Sequence, residues 1–158
     1  LLQPSFDQVV SYVNAPALAA ERGVVITETK CQNPRGYTNL IETKVVRDDN
    51  GRQRVRQIDG TLFNTEPFIV GIQGLRIDVH PSGHLLVIFN TDKPGMIGTV
   101  GALLGAAGIN ISGMHVGRKE VGERAVMVVS VEQPVPEEIL EELRKHSDLF
   151  GARQVDLT

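Results

Sequence analysis

Polar side chains cluster where the sequence predicts that a strand ends and a helix begins. Asn90 and Asp92 follow the apolar run 85–89, Gly95 stands at the predicted helix start, and Asn110 lies on the next predicted strand. A helix N-terminus offers unpaired N–H groups to a carboxylate, an aspartate accepts from an ammonium, and an amide serves either group. The sequence therefore predicts a site for a small amino acid. Capping of the helix by Asn90 and Asp92 is the alternative.

A row of arginines forms a second candidate site. Arg52, Arg54 and Arg56 alternate with other residues, so their side chains project from one face of a predicted strand. Charges in such a row are commonly solvated, and they discourage aggregation at a sheet edge. The alternative interpretation is an anion site for a phosphate or a carboxylate, completed by Arg76.

The sequence gives less support to a metal site, a catalytic nucleophile or a nucleotide-binding site. Among His80, His84, His115 and His146, only His80 and His84 have the i,i+4 spacing of two metal ligands on one helix face, and the turn 81–83 lies between them. The lone Cys31 excludes an internal disulfide framework and has no histidine near it in the sequence. Glycines 95, 98 and 101 give G-x-x-G-x-x-G, not the dinucleotide fingerprint G-x-G-x-x-G. We therefore predict no catalytic residue, metal or cofactor in these residues.

Composition limits the partners. The 158 residues carry 16 Lys+Arg against 19 Asp+Glu, a net charge of −3, so neither nucleic acid nor an anionic membrane is the expected ligand. A hydrophobic content of 41% predicts a folded protein, and a single cysteine favours the reducing cytoplasm. The uncharged stretch 94–116 contains six glycines and a proline, so we do not expect a membrane-spanning helix.

The second half predicts a βαββαβ order. Strands are expected at 84–90, 109–115, 124–132 and 151–157, and helices at 96–107 and 137–146. This is the ferredoxin-like α+β motif, an antiparallel sheet with both helices on one face. We place its first strand at a sheet edge, where an apolar strand invites pairing with a second copy. His146, at the far end of the second helix, is expected to lie away from the effector site.

The first half predicts a smaller, mixed α+β domain. A helix is expected at 13–22, with Asn14 as N-cap, and β-rich runs follow at 24–30, 38–47, 52–63, 68–73 and 75–79. Asn50-Gly51 marks a hairpin turn. The turn Pro81-Ser82-Gly83 separates the predicted domains, residues 1–82 and 83–158.

Three glycines lie inside the predicted helix 96–107. Gly98, Gly101 and Gly105 are three and four residues apart, so they form one smooth stripe. Each costs about 1 kcal/mol relative to alanine, which calls for a reason. Close packing within the subunit is the first expectation; approach of a second copy or of a ligand is the other.

Residues 84–157 resemble an ACT domain, a small-molecule regulatory module. The characteristic stretches are Asn90-Thr91-Asp92-Lys93-Pro94-Gly95-Met96-Ile97-Gly98 and Gly108-Ile109-Asn110-Ile111. The first half resembles the intervening, allosteric substrate-binding domain of long-form D-3-phosphoglycerate dehydrogenases. The stretches that carry this resemblance are Val13 to Gly23, Tyr37-Thr38-Asn39-Leu40, Asp59-Gly60-Thr61-Leu62-Phe63 and Gly74-Leu75-Arg76-Ile77-Asp78.

The resemblance implies a regulatory fragment of an NAD-dependent oxidoreductase of serine biosynthesis. Catalysis and NAD binding would belong to an upstream region, and the intervening domain would lack its first strand. In this family L-serine binds between two paired ACT domains and exerts feedback control. Carried over by position, Asn90 and Asp92 would come from one chain and Asn110 from the other, with backbone at Gly95 and Ile109. The expected assembly is at least a dimer.

Two alternatives from other classes stay open. The same pair of domains resembles the regulatory part of iron–sulfur L-serine dehydratases, whose cluster cysteines would have to lie elsewhere. The other alternative is a stand-alone amino-acid-binding module, against which the absence of an initiator Met argues. The effector, the sign of its effect and the oligomer size do not follow from the sequence.

Overall fold

The computed structural model describes residues 9–11, 13–32 and 34–157. The chain forms two compact units, which divide between residues 33 and 34. In the first unit, helix α1 (Ala15–Glu21) confirms the predicted helix, with a proline in its first turn. Asn14 is its N-cap residue but makes no side-chain cap; its Oδ1 accepts the Ser11 N–H at 2.7 Å.

The predicted β-rich run at 24–30 is not a strand. These residues are exposed and have no regular secondary structure. A strand needs a neighbour for its backbone N–H and C=O groups. Among the described residues of the first unit no strand offers one, so β propensity alone does not form the element.

The second unit begins with an antiparallel meander. Its strands are β1 (Ile41–Asp49), β2 (Arg52–Phe63), β3 (Glu66–Ile72) and β4 (Leu75–Val79), paired in that order. Asn50 and Gly51 both take positive φ, 54° and 81°, as the tight turn between right-twisted strands requires. The predicted hairpin is therefore confirmed, and β1 begins three residues later than expected.

The second sheet has the predicted ferredoxin-like form. The elements are β5 (Gly83–Thr91), α2 (Met96–Ala106), β6 (Ile111–Arg118), β7 (Arg124–Val131), α3 (Glu137–Lys145) and β8 (Leu149–Leu157). The strand order is β6-β7-β5-β8, with every pair antiparallel. In α3 the first turn is acidic and the last turn basic, which suits the helix dipole.

The position predicted for the first strand of this sheet is wrong. β5 lies in the middle, between β7 and β8, and the edge strands are β6 and β8. The reason lies in its apolar run: Leu85, Leu86 and Ile88 are all buried, so both faces of β5 are covered. A strand that is buried on both faces needs a hydrogen-bonding neighbour on each side.

Two apolar layers account for this burial. Alternate residues of β5 and β7 face α2 and α3, including Leu86, Ile88 and Met127. The residues between them, such as Leu85 and Val126, pack against the first sheet. Each large apolar side chain buried in this way contributes about 1.5–3 kcal/mol to stability.

β4 passes close to β6 at one glycine. A Cβ on Gly117 would stand 2.3 Å from the carbonyl oxygen of Arg76 and 3.2 Å from a methyl group of Val126. No side chain fits that space. Gly117 is therefore required by the approach of the two strands, which an inspection of the sequence did not identify.

The glycine stripe of α2, unlike Gly117, is not required by the close approach of another element. A Cβ on Gly98, Gly101 or Gly105 would meet nothing within 4 Å in the part of the chain that the structure describes. The expectation that the stripe permits close packing within the subunit is therefore wrong. Among the described residues, no helix is long and apolar enough to cross a membrane.

Candidate functional site

Asn90 occupies the carboxyl end of β5. The residue is 2% exposed and lies between Ala125 of β7 and Leu149 of β8. Its Nδ2 donates to the carbonyl of Thr91 at 2.8 Å, which fixes the orientation of the amide because a carbonyl only accepts. Its Oδ1 is buried and has no partner among the described residues. A buried acceptor left unpaired costs about 1–3 kcal/mol.

Asp92 is held in an ion pair that the sequence analysis missed. Its Oδ2 lies 2.7 Å from Nη1 of Arg118, and its backbone N–H donates to the Glu123 carbonyl at 2.7 Å. The Asp92 side chain is 18% exposed and that of Arg118 is 53% exposed. Strand register provides the signal: Arg118 and Asn90 both pair with Ala125, so they lie in one row across the sheet.

The helix start at Gly95 is built without side-chain caps. Gly95 takes a φ of 90°, and its carbonyl accepts the N–H of Thr99 at 2.8 Å. Neither Asn90 nor Asp92 caps α2, because no side-chain cap is formed at this helix. The capping alternative is therefore wrong, and both polar side chains need another explanation.

The segment before Gly95 is fastened to the loop that precedes β8. The Thr91 N–H donates to the carbonyl of Asp148 at 2.9 Å, and Lys93 pairs with its carboxylate at 2.6 Å. The Asp148 N–H donates to Nδ1 of His146 at 3.3 Å. His146 is thus connected to the candidate site through Asp148, contrary to the expectation that it lies apart from it.

The remaining two predicted effector residues lie at the other end of α2. Ile109 is buried and its N–H donates to the Leu104 carbonyl at 2.9 Å, whereas Asn110 is exposed and immediately precedes β6. From Asn110 to the row of Asn90 is the length of β6, about 25 Å at roughly 3.3 Å per residue. One chain therefore brings Asn90, Asp92 and Gly95 together, but not Asn110.

The arginine row lies on the projecting end of the first hairpin. Arg52, Arg54 and Arg56 are exposed and precede Ile58, where β2 begins to pair with β3. Arg54 forms an ion pair with Asp49 at 3.0 Å. Arg76 lies on β4, two strands across, in the row of Asp59. The structure brings the three row arginines together and leaves Arg76 apart from them.

Asp59 is a buried carboxylate that the sequence analysis did not single out. Its side chain is 8% exposed, with Arg35 Nη2 at 3.0 Å and Gln57 Nε2 at 2.9 Å. Arg35 also contacts Glu42 at 2.6 Å. A hydrogen bond from Lys44 lowers the pKa of Glu42, and the charges of Lys44 and Arg35 act in the same direction.

Asp59 and Arg35 line a cavity of about 180 Å³, together with Arg76.

A second, more open groove lies between β4 and β6. It measures about 500 Å³ and carries three cationic or titratable side chains, Arg76, His115 and Arg118, against one carboxylate, Asp78. Neither this groove nor the cavity at Asp59 is lined by Asn90 or Asp92. Of the ion pair, only Arg118 lines the groove.

Comparison with known proteins gives two domain matches. Residues 84–148 match the ACT domain, and residues 1–73 match the D-3-phosphoglycerate dehydrogenase intervening domain. Relatives named D-3-phosphoglycerate dehydrogenase include those of Bacillus subtilis, 37% identical over 156 residues, and Archaeoglobus fulgidus, 35% identical over 159 residues. That of Methanocaldococcus jannaschii is 34% identical over 157 residues. Each alignment covers 99% of this chain but only 29% of the relative.

Proposed function

This chain carries the intervening domain of the D-3-phosphoglycerate dehydrogenase family followed by an ACT domain, and we propose that it is an effector-binding regulatory region. The effector we propose is L-serine, which would exert feedback control. The parent protein would oxidise 3-phosphoglycerate with NAD, the first step of serine biosynthesis, in the cytoplasm. Catalysis and NAD binding would reside outside these residues. The dehydrogenase relatives favour this parent over an iron–sulfur dehydratase.

The observation that carries the proposal is the unpartnered Oδ1 of Asn90. This acceptor is buried at the end of β5, two residues before the Asp92 carboxylate. A ligand that supplies an N–H or O–H donor would satisfy the amide and offset its desolvation cost. An amino acid carries an ammonium for Asp92, and L-serine adds a hydroxyl.

A second chain would complete the site. β6 is a sheet edge whose outer side can add a strand from another copy. In a two-fold antiparallel pairing of β6 with itself, the first residue of one strand lies opposite the last of the other. Asn110 of the second copy would then stand next to Arg118, beside Asp92. Pairing through β8 would not bring these residues together, which supports a dimer formed through β6.

We keep an anion site in the first sheet as a second proposal. Arg35 and Arg76 line the cavity beside Asp59, which supports a site for a phosphate or carboxylate there. Binding of 3-phosphoglycerate to the variant Arg76→Ala, compared with the double variant Arg54→Ala/Arg56→Ala, tests it. Loss in Arg76→Ala alone would place the anion in the cavity. Loss in the double variant alone would place it on the exposed row.

Calorimetry on the 158-residue chain tests the main proposal. We expect the titration of L-serine to release heat and the titration of glycine to release less. Any heat from 3-phosphoglycerate should not depend on Asp92. The chain alone should produce no NADH from 3-phosphoglycerate and NAD. Absence of binding by L-serine and glycine would contradict the proposed effector, whereas NADH production would contradict the assignment of catalysis to another region.

A further inference from the structure

The ion pair between Asp92 and Arg118 stands at the site where the proposed effector would bind. The contact between Oδ2 and Nη1 is 2.7 Å, so the carboxylate is already neutralised in the absence of a ligand. A ligand that places an ammonium on Asp92 must displace the guanidinium. The displaced guanidinium of Arg118 then needs a new counter-ion, and this need restricts which ligands the site can bind.

Charge balance favours one ligand class. A simple amine on Asp92 leaves Arg118 without its counter-ion, and a simple carboxylate on Arg118 leaves Asp92 unpaired. A zwitterion replaces one ion pair by two, with its ammonium on Asp92 and its carboxylate on Arg118, and the net charge of the site is unchanged. Arginine suits the second contact because its planar fork of N–H donors matches a carboxylate.

The two partners differ in their freedom to separate. Asp92 is the more buried, and its backbone is fixed by the hydrogen bond to Glu123. Arg118 is half-exposed and lines the open groove between β4 and β6. The same groove is also lined by Arg76, His115 and Asp78. Arg118 therefore has the length and the room to withdraw while Asp92 stays in place.

We propose that Arg118 is a specificity-determining residue that binds the α-carboxylate of the effector and restricts the site to zwitterionic α-amino acids. The proposal rests on the effector site proposed above and adds a residue and a ligand class to it. Arg118 would act together with Asp92, each recognising one end of the same molecule.

Titration calorimetry with three small ligands tests the proposal on the wild-type chain. L-serine carries both charges, ethanolamine keeps the amine and hydroxyl, and glycolate keeps the hydroxyl and carboxylate. We expect L-serine to bind at least about tenfold more tightly than either, because each lacks one charge-assisted contact. Ethanolamine or glycolate binding as tightly as L-serine would overturn the proposal without any variant.

Variants then separate this inference from the effector site itself. In Arg118→Gln we expect L-serine affinity to fall at least about tenfold while ethanolamine affinity is kept or raised, so that the preference collapses. Lys119→Gln removes a positive charge from the adjacent exposed position and should keep the preference. If folded Arg118→Gln prefers L-serine over ethanolamine as strongly as wild type does, the role of Arg118 is overturned but the effector site is not. Equal L-serine binding by wild type and Asp92→Asn would overturn the effector site, and the inference with it.

Discussion

Asp92 is the side chain on which the effector proposal depends most directly. Replacing it by alanine removes the acceptor for an ammonium, and a hydrogen bond to a charged group contributes about 1.5–3 kcal/mol. We expect Asp92→Ala to weaken L-serine binding by about tenfold to a hundredfold or more, measured by calorimetry. Asp156→Ala, which removes a carboxylate opposite His84 at the other end of β5, is the control. Unchanged affinity in Asp92→Ala would leave the site unlocated.

Asp156 supports a separate prediction about pH. Hydrogen bonds from His84 and then from Gln154 lower the pKa of Asp156 in the folded state. A lowered pKa contributes stability above the unfolded value, about 3.9, and that contribution is lost as the pH falls through the folded pKa. We expect Asp156→Asn to have a lower melting temperature than wild type near neutral pH. The two curves should converge in strong acid, and a constant difference would contradict the assignment.

Local sequence order was enough to identify some site residues but not all. Asn90, Asp92 and Gly95 follow one another at a strand end, so their chemistry could be predicted from neighbouring positions. Arg118 meets Asp92 because the strand register places Arg118 in the row of Asn90, two residues before Asp92. Asp59 is similar, since its arginine partner comes from a turn 24 residues away.

Gly117 sets how closely two strands can approach. An alanine there would place its Cβ 2.3 Å from the Arg76 carbonyl oxygen, and backbone cannot give way as a side-chain end can. We expect Gly117→Ala to lower the free energy of unfolding by about 1–3 kcal/mol, the usual cost of overpacking. Gly113→Ala in the same strand is the matched control, because its nearest contacts would be 3.7–3.8 Å. Equal denaturant midpoints for the two variants would show that β4 and β6 separate without cost.

Helices and strands were predicted correctly where the apolar periodicity was strong. The predictions failed where the pairing between strands determines the structure. The helices and hairpins of the second half follow from apolar spacing and turn residues, and their bounds agree within a few residues. The central place of β5 depends on which strands flank it, which its own residues do not specify. The run at 24–30 shows the converse, since its β-rich residues lack a neighbouring strand in the described part of their unit.

At the scale of the whole molecule, self-association would unite the two halves of the effector site. Asn90 and Asp92 lie about 25 Å along the sheet from Asn110, so a single chain cannot place them on one small ligand. Pairing of β6 with a second copy would remove that separation. Effector binding and dimerisation should therefore be thermodynamically linked, each strengthening the other.

Two exposed valines on the edge strands allow a matched test of this linkage. Val116 on β6 is 39% exposed and Val155 on β8 is 42% exposed. A lysine at Val116 would place one charge from each copy near the two-fold axis, where burial and like-charge repulsion oppose strand pairing. We expect Val116→Lys to be monomeric by analytical ultracentrifugation and to lose L-serine binding, although it retains Asp92. Val155→Lys should dimerise and bind as wild type does, and the reverse pattern would move the interface to β8 and leave Asn110 outside the site.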